Sequence, residues 1–194
     1  MPTASKRAEF GNDHYTLGFK KNIVGIGLNC YPLAINASNE VQWAWFLSLF
    51  YGKQIAHKEK STLFFNYGLD IGYYNRNIPI YNWGKKNDED FIRKKIISFS
   101  VPLSVQYLYQ LSQHTKKPIF LSFELGVYGE FPINRVHPFS NPVIGIFDGV
   151  GFLTMLDDSN MLSFNVFPYK CGYHEQVMKK AGIGISWVKT IGGK

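Results

Sequence analysis

At 194 residues, with 45% hydrophobic and 16% aromatic side chains, the chain has the length of one domain and enough apolar material for a large core, which excludes disorder. Eighteen glycines without a three-residue period exclude collagen, and no stretch approaches the roughly 18 consecutive apolar residues of a spanning helix. The net charge of +7 sits in short basic pairs between apolar segments, without a nucleic-acid motif, and only 18% of residues are charged, where a soluble surface usually carries roughly 25–35%.

In chain order, Met1–Asp13 is polar and lacks the apolar core of a signal peptide, so it is expected to be a flexible N-terminal segment, with residues 14–194 forming one domain. A first strand is expected over Tyr15–Asn29, with a phase change near Lys20–Asn22. Four stronger segments then alternate with period two: Val41–Tyr51, Leu63–Tyr73, Ile97–Tyr109 and Ile119–Phe131. Strict alternation over ten or more residues, rich in aromatic and β-branched types, predicts strands and argues against helices. Val143–Leu156, Met161–Tyr169 and Ala181–Ile191 are patterned less strictly and bring the count to eight.

The two faces of these strands differ in kind. The odd face includes Trp43, Trp45, Leu47, Leu69, Val101, Leu103, Phe123 and Leu125; the even face includes Asn66, Asp70, Gln106, Glu124 and Glu130 among serines, glycines and a few phenylalanines. A soluble sheet would show many lysines and glutamates on its solvent face. Here the charges in the four strands are all acidic and lie on the small, polar face. A closed lumen lined by that face, with the apolar face turned to lipid, accounts for both.

Connections alternate in length, from the long Cys30–Glu40 and Tyr74–Lys95 to the short Gln110–Lys117 and Asp157–Asn160, with Gly52–Ser61 also read as a connection. The expected fold is therefore all-β, an eight-stranded antiparallel up-and-down transmembrane β-barrel of a bacterial outer membrane. Tyr15, Trp43, Trp45, Tyr51, Tyr73, Tyr107, Tyr109, Phe131 and Trp187 fall towards strand ends, where aromatic girdles lie. Pro102 removes a ladder donor inside a wall that has no edge, so a β-bulge is expected there.

The stretch Ile97-Ser-Phe-Ser-Val-Pro-Leu-Ser-Val-Gln-Tyr107, followed by Lys117-Pro-Ile-Phe-Leu-Ser-Phe-Glu-Leu-Gly-Val-Tyr128 and preceded by Tyr67-Gly-Leu-Asp-Ile-Gly-Tyr-Tyr74, resembles the porin-like outer-membrane β-barrel domain family of Gram-negative bacteria. The resemblance covers Leu63–Phe131 and implies the barrel fold, not an activity. The chain departs from it by ending Ile191-Gly-Gly-Lys194, where many such barrels carry a terminal aromatic.

For function, Asp70, Glu124 and Glu130 with Asn66 and Gln106 are read as a polar packing of the lumen, too narrow at eight strands for a wide pore. His137-Pro-Phe-Ser-Asn141 resembles, with one extra residue, the His-x-Ser-Asn stretch of outer-membrane lipid A deacylases. A Pro-flanked loop is the leading reading, and a serine esterase with Ser140 as nucleophile, His137 as base and Asp148 as orienting group the weaker one. His14, His57, His114, His137 and His174 show no metal-ligand spacing, and no cofactor is expected. Gly25-Ile-Gly27 and Gly182-Ile-Gly184 are read as lumen packing or curvature.

Cys30 and Cys171 both fall at the long-loop rim; two free thiols are the leading expectation and a disulfide the alternative. In the loop Tyr74–Lys95, Trp83, Lys85, Lys86 and Arg93 are candidates for contacts with lipopolysaccharide phosphates or an extracellular protein, against a solvated, charge-balanced loop. Outer-membrane lipid is the expected surrounding, and nucleic acid is not an expected partner. The reading from another class is a soluble lipocalin-like barrel that binds an apolar ligand with its Trp-rich face turned inward.

Overall fold

The computed structural model describes residues 22–33, 42–79, 91–111, 118–133, 142–173 and 182–192. They form eight antiparallel strands, β1 (Asn22–Leu33), β2 (Gln42–Lys58), β3 (Ser61–Pro79), β4 (Phe91–Gln110), β5 (Ile119–Pro132), β6 (Val143–Met155), β7 (Asn160–Tyr173) and β8 (Gly182–Ile191). Each strand pairs with its sequence neighbours, and β8 pairs with β1, which closes the barrel. The seam runs from Asn22 opposite Ile191 to Cys30 opposite Ile183. Closure leaves no unpaired edge among the strands. The N-terminal segment 1–13 and the expected strand start at Tyr15 lie outside the described residues; β1 runs four residues past the expected Asn29.

Where side chains are described, they alternate between lumen and outside along the strands except at bulges, as the pleat requires. Consecutive residues make the point: Phe64 is 0% exposed and Phe65 41%. Trp43, Trp45, Leu47, Leu69, Val101, Leu103, Phe123 and Leu125 all face outward.

The strands are longer than the alternation alone suggests. Gly52–Lys58, expected in a connection, continues β2, and a two-residue turn at Glu59 and Lys60 leads into β3. The phase of β2 is broken by a bulge at Ile55, since Gln54 pairs with Phe64 and Ala56 with Leu63. A bulge shifts the side-chain alternation by one, which disguises a strand as a loop. Likewise β3 and β4 continue to Pro79 opposite Phe91, so Arg93 lies in β4 opposite Asn77 and not in a loop. Trp83, Lys85 and Lys86 lie outside the described residues.

Pro102 carries no bulge. Towards β5 the ladder is unbroken through Pro102 opposite Tyr128. Towards β3, Tyr67 pairs with Leu103 and Asp70 with Ser100 in the same phase, with the pairs between them missing. A strand residue directs its N–H and C=O to the same neighbour, so the missing donor is felt on one side only. The bulge that accommodates a proline is at Pro168: Asp148 pairs with Tyr169 and Val150 with Val166, so Phe167 and Pro168 face the single residue Gly149.

Cys30 is a buried free thiol in the wall of β1, not half of a disulfide. Its partner on β8 is Ile183, which pairs on β7 with Val166, whereas Cys171 lies further along β7 opposite Ile146. Two strand spacings, about 10 Å, already exceed the Cα separation of about 4.4–6.8 Å that a bridge allows.

Candidate functional site

The lumen is layered. Towards the short-turn rim, Ile23, Phe64, Leu108, Phe120, Leu153, Met161 and Val188 pack into one apolar plug, with Phe50 and Met155 against it. Towards the long-loop rim, Tyr31, Ala44, Phe46, Tyr74, Ile96, Tyr128, Phe147 and Phe167 form a second. The second is a connected ring array: Tyr31 meets Phe46 edge-on at 5.6 Å and Phe167 at 5.7 Å, and Phe46 stacks on Tyr74 at 6.4 Å. Glycines on the inward face of β1 and β8 admit these and neighbouring side chains. A Cβ at Gly25 would run into the Phe50 ring, and one at Gly184 into Asn29 and Phe167.

Between the plugs lies a chamber of about 80 Å³, lined on its polar side by Asn29, Ser48, Asn66, Asp70, Gln106 and Glu124 and elsewhere by apolar side chains that include Phe50, Phe147 and Leu153. Its walls bond across strands. Asn29 Nδ2 donates to Ser48 Oγ at 2.7 Å, Asn66 Nδ2 to Gln106 Oε1 at 3.2 Å, and Gln106 Nε2 to Ser122 Oγ at 2.9 Å. Ser104 Oγ donates to Glu124, and Ser100 Oγ donates to Asp70 Oδ2 at 3.2 Å. Glu130 stands higher, within the long-loop plug, where Ser98 Oγ and Tyr74 OH donate to Oε1 at 2.8 and 3.1 Å. The expected lumen residues Asn66, Asp70, Gln106, Glu124 and Glu130 thus all line the interior, on hydroxyl and amide partners.

Size decides what the chamber can hold. A small-molecule pocket measures roughly 300–1,000 Å³, whereas this chamber has room for a few ordered waters. Rings crowd both ends of the chamber and narrow the described lumen. Asn66 Oδ1, a buried acceptor without a protein partner, is suited to such a water. A soluble carrier with its Trp-rich face turned inward does not fit, because Trp43 and Trp45 point out.

The esterase constellation is not assembled in the described residues. Asp148 sits midway along β6 on the outward face, opposite Leu125 and Tyr169, with Oδ1 buried and unpartnered. His137 and Ser140 lie outside the described residues. Nor do three His, Cys, Asp or Glu side chains converge as a metal site among the described residues.

The outer face carries the clearest ordering. At the long-loop end of the wall, Trp45 stands opposite Tyr73, and Phe99 stacks on Phe131 at 4.9 Å. At the short-turn end, Tyr51 packs on Tyr67 at 5.2 Å, with Tyr107, Tyr109 and Trp187 also exposed there. Leu47, Leu49, Leu69, Ile71, Val101, Leu103 and Val105 fill the band between them. From Trp43 to Lys53, β2 rises about 33 Å, or about 25 Å along the barrel axis at a tilt of about 40°, which matches the apolar height of an outer-membrane barrel. Tyr15 lies outside the described residues.

What sequence reasoning missed is the long-loop plug: Tyr31, Tyr74, Phe147 and Phe167 were not on the expected inner face. Tyr31 and Tyr74 lie beyond the expected strand ends, while glycines dilute the inward pattern around Phe147 and the Pro168 bulge breaks it beside Phe167. The glycine pairs of β1 and β8 were a usable signal, since inward glycine leaves space that a neighbouring ring fills.

No family model and no curated protein matches the chain. Among solved structures, the β domain of the Bordetella autotransporter BrkA is similar at a TM-score of 0.49 and 9% identity, over 88% of this chain and 68% of that one.

Proposed function

We propose that the protein is an outer-membrane barrel of a Gram-negative cell envelope, inserted with its short turns towards the periplasm and its longer connections outward, with a lumen that serves as a packed core. The observation that carries this reading is the inverted wall: a closed barrel whose outward face is apolar between two aromatic girdles except at Asp148, while Asn66, Asp70, Gln106, Glu124 and Glu130 line the inside. In water that wall would be one exposed apolar surface, far larger than the few hundred Å² that soluble monomers tolerate. The role that fits a packed, narrow lumen is a scaffold or surface-binding protein without enzymatic activity or cofactor, with lipopolysaccharide or an extracellular protein contacted at the long-loop rim. Extraction that requires detergent, together with a folded band that shifts in gel mobility on boiling, is the expected result. A monodisperse protein in plain buffer overturns the membrane reading. The surface role is tested separately by lipopolysaccharide binding, which neutralising Lys85 and Lys86 should weaken.

A further inference from the structure

Two exposed lysines face outward at the short-turn rim, one on each side of β1. Lys53 of β2 lies opposite Asn22, and Lys189 of β8 lies opposite Val24. Neither has an ion-pair partner among the described residues. Each stands two residues below an outward aromatic, Tyr51 for Lys53 and Trp187 for Lys189. The intervening β1 presents only the short side chains of Asn22 and Val24 at this height, so the surface dips between the two lysines.

The spacing suits one ligand. Two strand separations place the lysine backbones about 10 Å apart across β1, offset by about 7 Å along the strands. Side chains of about 6 Å let both ammonium groups converge on a single phosphate over the dip. Directly above, Ile26, Leu49 and Trp187 begin the apolar band. Cationic groups below and apolar surface above match a molecule with an anionic head and hydrocarbon tails.

We propose that Lys53 and Lys189 clamp the phosphate of an anionic glycerophospholipid of the inner leaflet across β1, with its acyl chains lying on Ile26, Leu49 and Trp187. The clamp rests on the membrane reading and on the short-turn rim facing the periplasm. It assigns a lipid-specific site to a wall that otherwise solvates any acyl chain alike.

The folded barrel is incorporated into discs of mixed phosphatidylcholine and phosphatidylglycerol, and retained lipid is identified by native mass spectrometry. A barrel that does not enter the discs defeats the membrane reading before any lipid is compared. For one that does, preferential retention of phosphatidylglycerol is expected, about fivefold for each lysine near an anionic headgroup. Lys53→Gln and Lys189→Gln should each lose about fivefold, and the double variant all preference. Lys60→Gln, in the neighbouring turn, should change nothing. Equal retention of both lipids by the native chain, or a preference that survives the double variant, overturns the clamp. Displacement of the lipid by excess inorganic phosphate would also overturn it, by revealing a plain anion site.

Discussion

Phe64 and Phe65 are adjacent, chemically identical and held in the same strand, yet they solve different problems. Phe64 is sealed in the short-turn plug among Leu108, Phe120 and Leu153, while Phe65 stands on the outer wall beside Lys53 and Val105. The inner ring is gripped by neighbours that cannot refill its space. The outer ring faces a medium that can. The same contrast separates Ser104 from Leu103 and Glu124 from Phe123 along β4 and β5: inside, each group is held by named partners; outside, only hydrophobicity is specified. In a soluble barrel the outward member of each pair would be the polar one.

This contrast can be broken or sharpened by substitution. The largest effect is expected from Phe64→Ala, a loss of about 3–5 kcal/mol because the transfer term is joined by a cavity. Phe65→Ala should cost only the transfer term, about 1.5–3 kcal/mol, because acyl chains occupy the vacated volume. Reversible unfolding in lipid vesicles measures both, and equal costs would erase the distinction between the faces. Leu103→Arg, in the middle of the outer band, should destabilise the inserted barrel by about 2–4 kcal/mol in the same vesicles.

Inside, Ser98→Ala removes one of the hydroxyls that Glu130 accepts from and should cost about 1–3 kcal/mol, read from the same unfolding curves. The smallest effect is expected where the chain is neither on the outer apolar band nor in the lumen. In the turn between β6 and β7, Asp157 accepts from the side-chain amide of Asn160 and the backbone N–H groups of Ser159 and Asn160, which hold its carboxyl down to about 2. A depressed carboxyl stabilises the folded turn above its ordinary value near 4 and loses that contribution as pH falls through about 2. Asp157 should therefore titrate near 2 by NMR, with loss of amide protection confined to this turn. A midpoint near 4 would show that the turn bonds do not hold in solution.

How far the fold could be read depends on the strand. In β2 to β5 the alternation of Trp, Leu and Val with Ser, Gly and Asn is so regular that inner and outer faces follow directly, and Asn66, Asp70, Gln106, Glu124 and Glu130 fall inside as expected. In β6 the inward positions Gly145, Gly149 and Gly151 carry no polarity, and in β7 the extra residue at Pro168 reverses the alternation. The bulges at Ile55 and Pro168 are not legible in the sequence because a phase change looks like a strand end, while Pro102 sits where a one-sided gap suffices. The two-residue turn at Glu59 and Lys60 was hidden the same way, by the bulge at Ile55.

The amino-acid sequence by itself determined the fold class, because a two-residue period with a small, polar side that carries few charges and an apolar side admits few stable arrangements other than a closed barrel with its apolar side outward. Closure decided the rest. Only when β8 pairs with β1 do Gly184 and Asn29 meet, Lys53 and Lys189 flank a common strand, Cys30 lie two strands from Cys171, and scattered apolar residues become two clusters on either side of a chamber. Those relations depend on the register between strands far apart in the chain, and register is set by packing across the whole cylinder, which local periodicity does not encode.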